Sequence, residues 1–194
     1  MAEFITLSHN PDLPMRRLLV LFAVIVAGTS YAQQSTNPAS QPLNSSSWQA
    51  YFSPTGGCAV AVVKELNSAK SNILVQAYSF TSAPIAKALV AAHKRGVQVQ
   101  VILDKSQRTA NYSEADFTAH AGIRTLIDAK HAIAHNKIMV IDSQVVITGS
   151  FNFTKAAEEH NAENLLVIHD VELAKRYTEN WHLHEGHSES YTGK

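Results

Sequence analysis

The sequence predicts a mixed α/β domain of the α+β kind, a mixed β-sheet covered by helices, and three observations carry that prediction. Short apolar strand segments and helical segments alternate through the first half of the domain. Two later strand segments follow each other with too little chain between them for a crossover helix, so they must form a hairpin. Glycines and capping residues punctuate the helical stretches at their ends.

Taken in order, Ala59, Val62, Val63, Leu66 and Ala69 recur at helical spacing, and NILVQAYSF at 72–80 reads as a buried strand. Ser82 can cap a helix with Pro84 in its first turn, turning Ile85, Leu89 and Val90 inward and ending at Gly96. VQVQVIL at 97–103 alternates apolar and polar and is the clearest strand. Ser113 and Asp116 fit a capping box for a helix that Gly122 closes, and IRTLID at 123–128 is the next strand. The hairpin strands are 136–141 and 145–149. A short helix near Lys155, a strand at 164–169 and a helix from Asp170, with Leu173, Tyr177 and Trp181 on one face, complete the domain. The order is βαβαβ, hairpin, β, α, with no internal repeat.

A chain of 194 residues, 45% hydrophobic, supports one ordinary domain with a sizeable core. Residues 15–32, MRRLLVLFAVIVAGTSYA, have two arginines, an apolar run and small residues at a cleavage position after Ala32, the layout of a secretory signal peptide. The run is short for a span of about 20 residues, with an uncleaved anchor as the alternative. Met15 is the expected initiator, and residues 1–32 are set apart as N-terminal extension and signal. The polar, Pro- and Ser-rich 33–47 reads as a flexible linker, leaving 48–194 as the folded domain, in a periplasmic or secreted protein. The single cysteine, Cys58, allows no internal disulfide and is expected to be a small buried apolar residue.

Sixteen basic residues balance sixteen acidic ones, so no global positive field advertises a nucleic-acid partner and anion binding must be local. The place to look is HNKIMVID at 135–142, where a histidine and a lysine open an otherwise apolar strand. His135 and Lys137 share one face, whereas Asp142 has the opposite parity and should not act with them. Across the hairpin, ITGSFNFT places Ser150 and Asn152 on one face; a two-residue turn near Ser143 would bring them beside His135 and Lys137, and a three-residue turn would break that parity. An imidazole, an ammonium, a hydroxyl and a carboxamide, with no paired carboxylates for a metal, suit a phosphodiester: Lys137, Asn152 and Ser150 as donors to its oxygens, His135 at the phosphorus. Downstream, Glu163 in HNAEN could accept the other imidazole N–H.

HNKIMVID followed by GSFNFTKAAEEHNAEN resembles the signature of the phospholipase D superfamily, and AYSFTSAPIAKALVAAHKRGVQV is similar to its small bacterial Nuc-type endonuclease branch, a likeness that covers residues 53–181. The resemblance implies a mixed sheet flanked by helices on both faces and a cofactor-free hydrolysis through a phosphohistidine. It implies His135 as nucleophile, Lys137 and Asn152 as phosphate holders, Ser150 as support, Glu163 orienting His135, and Asp142 as structural. Such enzymes use two motifs per site and this chain has one, so a homodimer with the site across its two-fold axis is expected.

DNA is the expected substrate, with little sequence preference and no stable membrane association after signal cleavage. The alternatives are a phospholipase D acting on phosphatidyl headgroups and a binding module without turnover. Lys105, Arg108, Lys130 and Lys155 are candidate groove residues. Tyr78 and Phe80 could stack on bases but are expected to pack. His182, His184 and His187 form an H-x-H-x2-H cluster, expected to be a frayed, solvated helix end without metal.

Overall fold

The computed structural model describes residues 46–194, so the signal segment and most of the 33–47 linker lie outside the described residues. Eight strands form one mixed sheet in the order β1-β7-β6-β5-β2-β3-β4-β8. The strands are β1 (Ser47–Ser53), β2 (Asn72–Ala77), β3 (Gln98–Asp104), β4 (Arg124–Asp128), β5 (Lys137–Ile141), β6 (Val145–Gly149), β7 (Glu163–His169) and β8 (Glu189–Tyr191). The helices are α1 (Cys58–Ser68), α2 (Ala83–Lys94), α3 (Ala115–His120), α4 (Lys155–Glu159) and α5 (Val171–Glu185). The expected mixed α+β class is therefore observed. β2, β3 and β4 are parallel and every other pairing is antiparallel.

Alternation along the strands divides the core in two. Ile73, Val75, Val101, Met139 and Ile147 face α1 and α2, where they meet Val62, Leu66, Ile85 and Leu89. The even-numbered Leu74, Ile102, Leu126 and Val140 face α5, where they meet Ala174 and Trp181. Helices thus cover both faces, as the resemblance implied. Trp181 is 1% exposed and its indole N–H donates to Val75 O at 2.9 Å, so the ring buries its apolar body without orphaning its polar tip.

The ends of the elements show which local signals act. Asp170 caps α5 through Leu173 N at 2.9 Å, and Gly122, at φ 84°, closes α3. α1 is capped from a distance, Glu158 accepting from Ala59 N at 2.8 Å. The capping box expected at α3 does not form. Asp116 is drawn to the Tyr191 hydroxyl (2.5 Å) and Lys194 N (3.1 Å), while Ser113 Oγ accepts only from Ala115 N. Two edge strands had no prediction: β1, which pairs along its whole length with β7, and the short β8. Among the described residues no helix is long and apolar enough to cross a membrane.

Candidate active site

β2 leaves the sheet after Ala77, although its apolar run extends to Phe80, and this exit builds one wall of the site. Tyr78 N donates to Asn136 O at 2.7 Å, tying the start of the β5 segment to the end of β2. The His135 imidazole consequently packs on Tyr78, ring centroids 4.6 Å apart and tilted by 56°. Lys137 Nζ lies 5.1 Å from the same ring centroid and donates to His135 O at 3.0 Å. Lys137 is 7% exposed, and burial pulls its pKa below the ordinary lysine value while the nearby charge of Glu163 pushes it back up. The imidazole itself is exposed and has no hydrogen-bond partner for its ring among the described residues.

The hairpin loop differs from the expected two residues. Asp142, Ser143 and Gln144 separate Ile141 from its partner Val145, and Asp142 and Ser143 both have positive φ. Odd residues therefore face odd ones, as in Met139 opposite Ile147, and the parity argument for Ser150 and Asn152 fails. Gly149 replaces it. At φ 142°, with Asn164 O only 2.3 Å from where a Cβ would sit, Gly149 ends the alternation, and both Ser150 N and Phe151 N then donate to Asn164 O. Ser150 Oγ donates to Glu163 Oε2 at 2.6 Å and accepts from Asn164 N at 3.0 Å. Phe153 bridges Phe80, so Asn152 lies in the segment that runs beside residues 78–80, its Oδ1 buried without a partner.

The charge of Glu163 acts on Lys137 across the site, with His135 O accepting from Lys137 and Ser150 Oγ donating to Glu163. The Glu163 carboxylate accepts from Ser150 Oγ at 2.6 Å and from Asn161 Nδ2 at 3.0 Å, and within the chain it makes no hydrogen bond to His135, the partner the resemblance gave it. Asp142 lies at the far end of β5 and accepts from Lys70, Ser71 and Asn72 N and from Ser71 Oγ, as a structural residue would. Burial works against its ionisation, but these bonds outweigh burial and hold its carboxyl below the usual range.

Sequence reasoning set Tyr78 aside as packing. It packs, and what it packs is the nucleophile candidate. Phe80 is fully buried, as expected, and so is Cys58. Of the candidate groove cations, Arg108 is held by Glu189 at 2.6 Å and Lys155 lies 3.7 Å from Glu159. Lys105 donates to His131 O at 3.0 Å, and Lys130 is exposed beside it in sequence.

The C-terminal histidines depart furthest from expectation. Only His182 is a solvated helix residue, 55% exposed and paired with Glu185. His184 and His187 turn inward and, with His131, surround the buried Asp128. Burial opposes the charge of Asp128, yet hydrogen bonds from His184, His131 and His187 hold its carboxyl far below the usual range.

Comparison with known proteins agrees with this architecture. Residues 62–183 match the family described as "Cardiolipin synthase, PLD-like domain". The "Phospholipase D" of Rickettsia conorii is 43% identical over 130 residues, 67% of this chain and 65% of that relative, so the chain spans about two thirds of its length. The "Mitochondrial cardiolipin hydrolase" of Mus musculus is 32% identical over 118 residues, 61% of this chain and 53% of that protein. The crystal structure of a phospholipase D family member, Nuc from Salmonella typhimurium, superposes with a TM-score of 0.73 at 42% identity, covering 75% of this chain and 98% of that one. The family match spans well over half the chain, and the site's residues lie within it: the chain belongs to the phospholipase D superfamily.

Proposed function

We propose that the chain is a phosphodiesterase that hydrolyses DNA backbone bonds through a phosphohistidine on His135, with two copies completing one site. The observation that carries this reading is the pairing of an exposed, ring-braced imidazole with a buried ammonium at the same sheet end. A buried Lys137 is a fixed, poorly hydrated charge for nonbridging phosphate oxygens, and Asn152 supplies an amide whose Oδ1 has no partner inside the chain. A ring nitrogen of His135 attacks phosphorus, and the P–O bond to the leaving strand breaks. The leaving oxygen takes a proton from the His135 of a second copy, and water then cleaves the P–N bond, yielding phosphate on one strand end.

The identity to the Nuc structure supports the nuclease reading. The names of the Rickettsia and mouse relatives favour a second reading, hydrolysis of phosphatidyl headgroups by the same residues. One experiment separates them: the full chain, with His135→Ala as control, is incubated in excess EDTA with plasmid DNA and, in parallel, with phosphatidylcholine and cardiolipin vesicles. DNA nicking that His135→Ala loses by about 10⁴-fold or more is expected. Headgroup release without nicking would replace the nuclease reading by the lipase one, and activity in neither assay, with EDTA or without it, would overturn both. A fully active monomer in sedimentation would remove the shared site.

A further inference from the structure

The three imidazoles around Asp128 converge on one point. His184 Nδ1 lies 2.8 Å, His131 Nδ1 3.0 Å and His187 Nε2 3.3 Å from the same oxygen, Asp128 Oδ2. One ligand atom from each of the four residues lies within 4.8 Å of the others. A carboxylate oxygen has two lone pairs, so three imidazole nitrogens on Oδ2 are one more than it can serve as ordinary acceptor. Although His131 Nδ1 also lies 3.2 Å from Oδ1, that oxygen already accepts from Lys130 N at 3.1 Å and from His131 N at 3.4 Å. The rings also crowd each other, with centroids 5.0, 5.1 and 5.3 Å apart. A divalent cation among them resolves the excess of donors, because the imidazoles then turn lone pairs, rather than protons, inward. Tetrahedral bonds of about 2.0–2.1 Å set neighbouring ligand atoms about 3.3 Å apart, close to the observed spacings from Asp128 Oδ2.

We propose that Asp128, His131, His184 and His187 form a structural site for a divalent transition ion of the zinc class, with three nitrogen ligands and one oxygen. The burial supports a site largely shielded from water: Asp128 is fully buried, the side chains of His184 and His187 are 17% and 22% exposed, and His131, at 43%, is the ligand nearest solvent. Its topology gives it a purpose. Asp128 ends β4 and His131 sits in the loop that leads to His135, whereas His184 and His187 lie in and just beyond the last turn of α5. The ion would therefore clip the C-terminal helix to the loop that delivers the reacting imidazole. The site lies on the α5 face of the sheet, since Asp128 shares the parity of Leu126, while Lys137 shares that of Met139 on the opposite face. This inference is independent of the proposed reaction, which uses none of the four residues.

The test uses the full chain, prepared without a polyhistidine tag and stripped with EDTA, then titrated with ZnCl₂ in a calorimeter and with CoCl₂ in a spectrophotometer. One zinc per chain, an intense visible cobalt band and a Tm increase of several degrees are expected. His182→Ala should behave as wild type. His184→Ala with His187→Ala should weaken binding about 100-fold or more and abolish the Tm increase. If that double variant does not fold, the single His187→Gln reports the same loss. No zinc uptake by wild type below about 10 μM, or equal uptake by the double variant, would overturn the site.

Discussion

The two faces of the sheet handle polar side chains in opposite ways. Around Lys137, which faces α1 and α2, the candidate site groups are partly engaged and partly held open: His135 exposed, Asn152 Oδ1 unpaired, Lys137 buried against an aromatic ring. On the α5 face every histidine of the cluster except His182 points at one buried carboxylate. The first arrangement leaves capacity for a guest that comes and goes, and the second leaves room only for something that stays. Their residue spacing follows this division. The first site is assembled largely from one hairpin and the strand after it, while the second joins residues 56 to 59 positions apart.

After His135→Ala, Lys137→Ala should give the largest effect and the sharpest test of the contrast. Catalysis should fall about 10²- to 10³-fold with little loss of Tm, because a buried ammonium costs desolvation that alanine does not. The lysine's pKa is lowered in the folded chain, so its charge is lost as pH rises, earlier than for a free lysine. The alkaline limb of kcat/KM should accordingly lie below about 10.4, and Lys137→Arg should remove that limb. A wild-type limb at or above the free-lysine value would contradict the burial argument.

Asp142→Asn should do the reverse. Four donors would lose their charged acceptor, lowering stability by about 1–3 kcal/mol while turnover per folded molecule stays within about twofold. The folded-state pKa is depressed, so this stabilisation is present above the ordinary carboxylate range near 3.9 and disappears as pH falls through the lower folded value. Chemical denaturation of wild type and variant from pH 7 to pH 2 should converge at the acid end; a constant gap would break the assignment. Smallest in consequence is Cys58. Burial first, then the charge of Glu158, pushes its thiol up to about 11, so alkylation of the native chain by iodoacetamide at pH 8 should be slow and become fast on unfolding.

Much of this was legible in the sequence because it is local. The six inner strands, α5 with its Leu173, Tyr177, Trp181 stripe, and the place of His135 and Lys137 at the start of β5 all follow from period and composition within short windows. The parity argument failed on the turn: two consecutive non-glycine residues with positive φ, Asp142 and Ser143, are not a pattern that marks loop length. β1 was invisible because WQAYF abuts a polar linker and stands as an edge, its Trp48 and Phe52 still 69% and 65% exposed. The Asp128 cluster required knowing that α5 ends over the exit of β4. Among the four residues, only the histidines of the C-terminal pair drew notice, and helix fraying was the wrong default because a buried carboxylate anchors them. Asn161, which shares Glu163 with Ser150, stood in the quoted HNAEN stretch without any signal to separate it from a loop residue.

Tyr78 lies close enough to His135 for its aromatic ring current to reach the imidazole protons. His135 therefore carries a built-in magnetic reporter: its carbon-bound hydrogens should resonate apart from those of the other nine histidines, and movement of either ring on phosphate binding should shift them. Tyr78→Leu would return those signals toward the crowd, so one pair of spectra identifies the His135 resonance without touching His135.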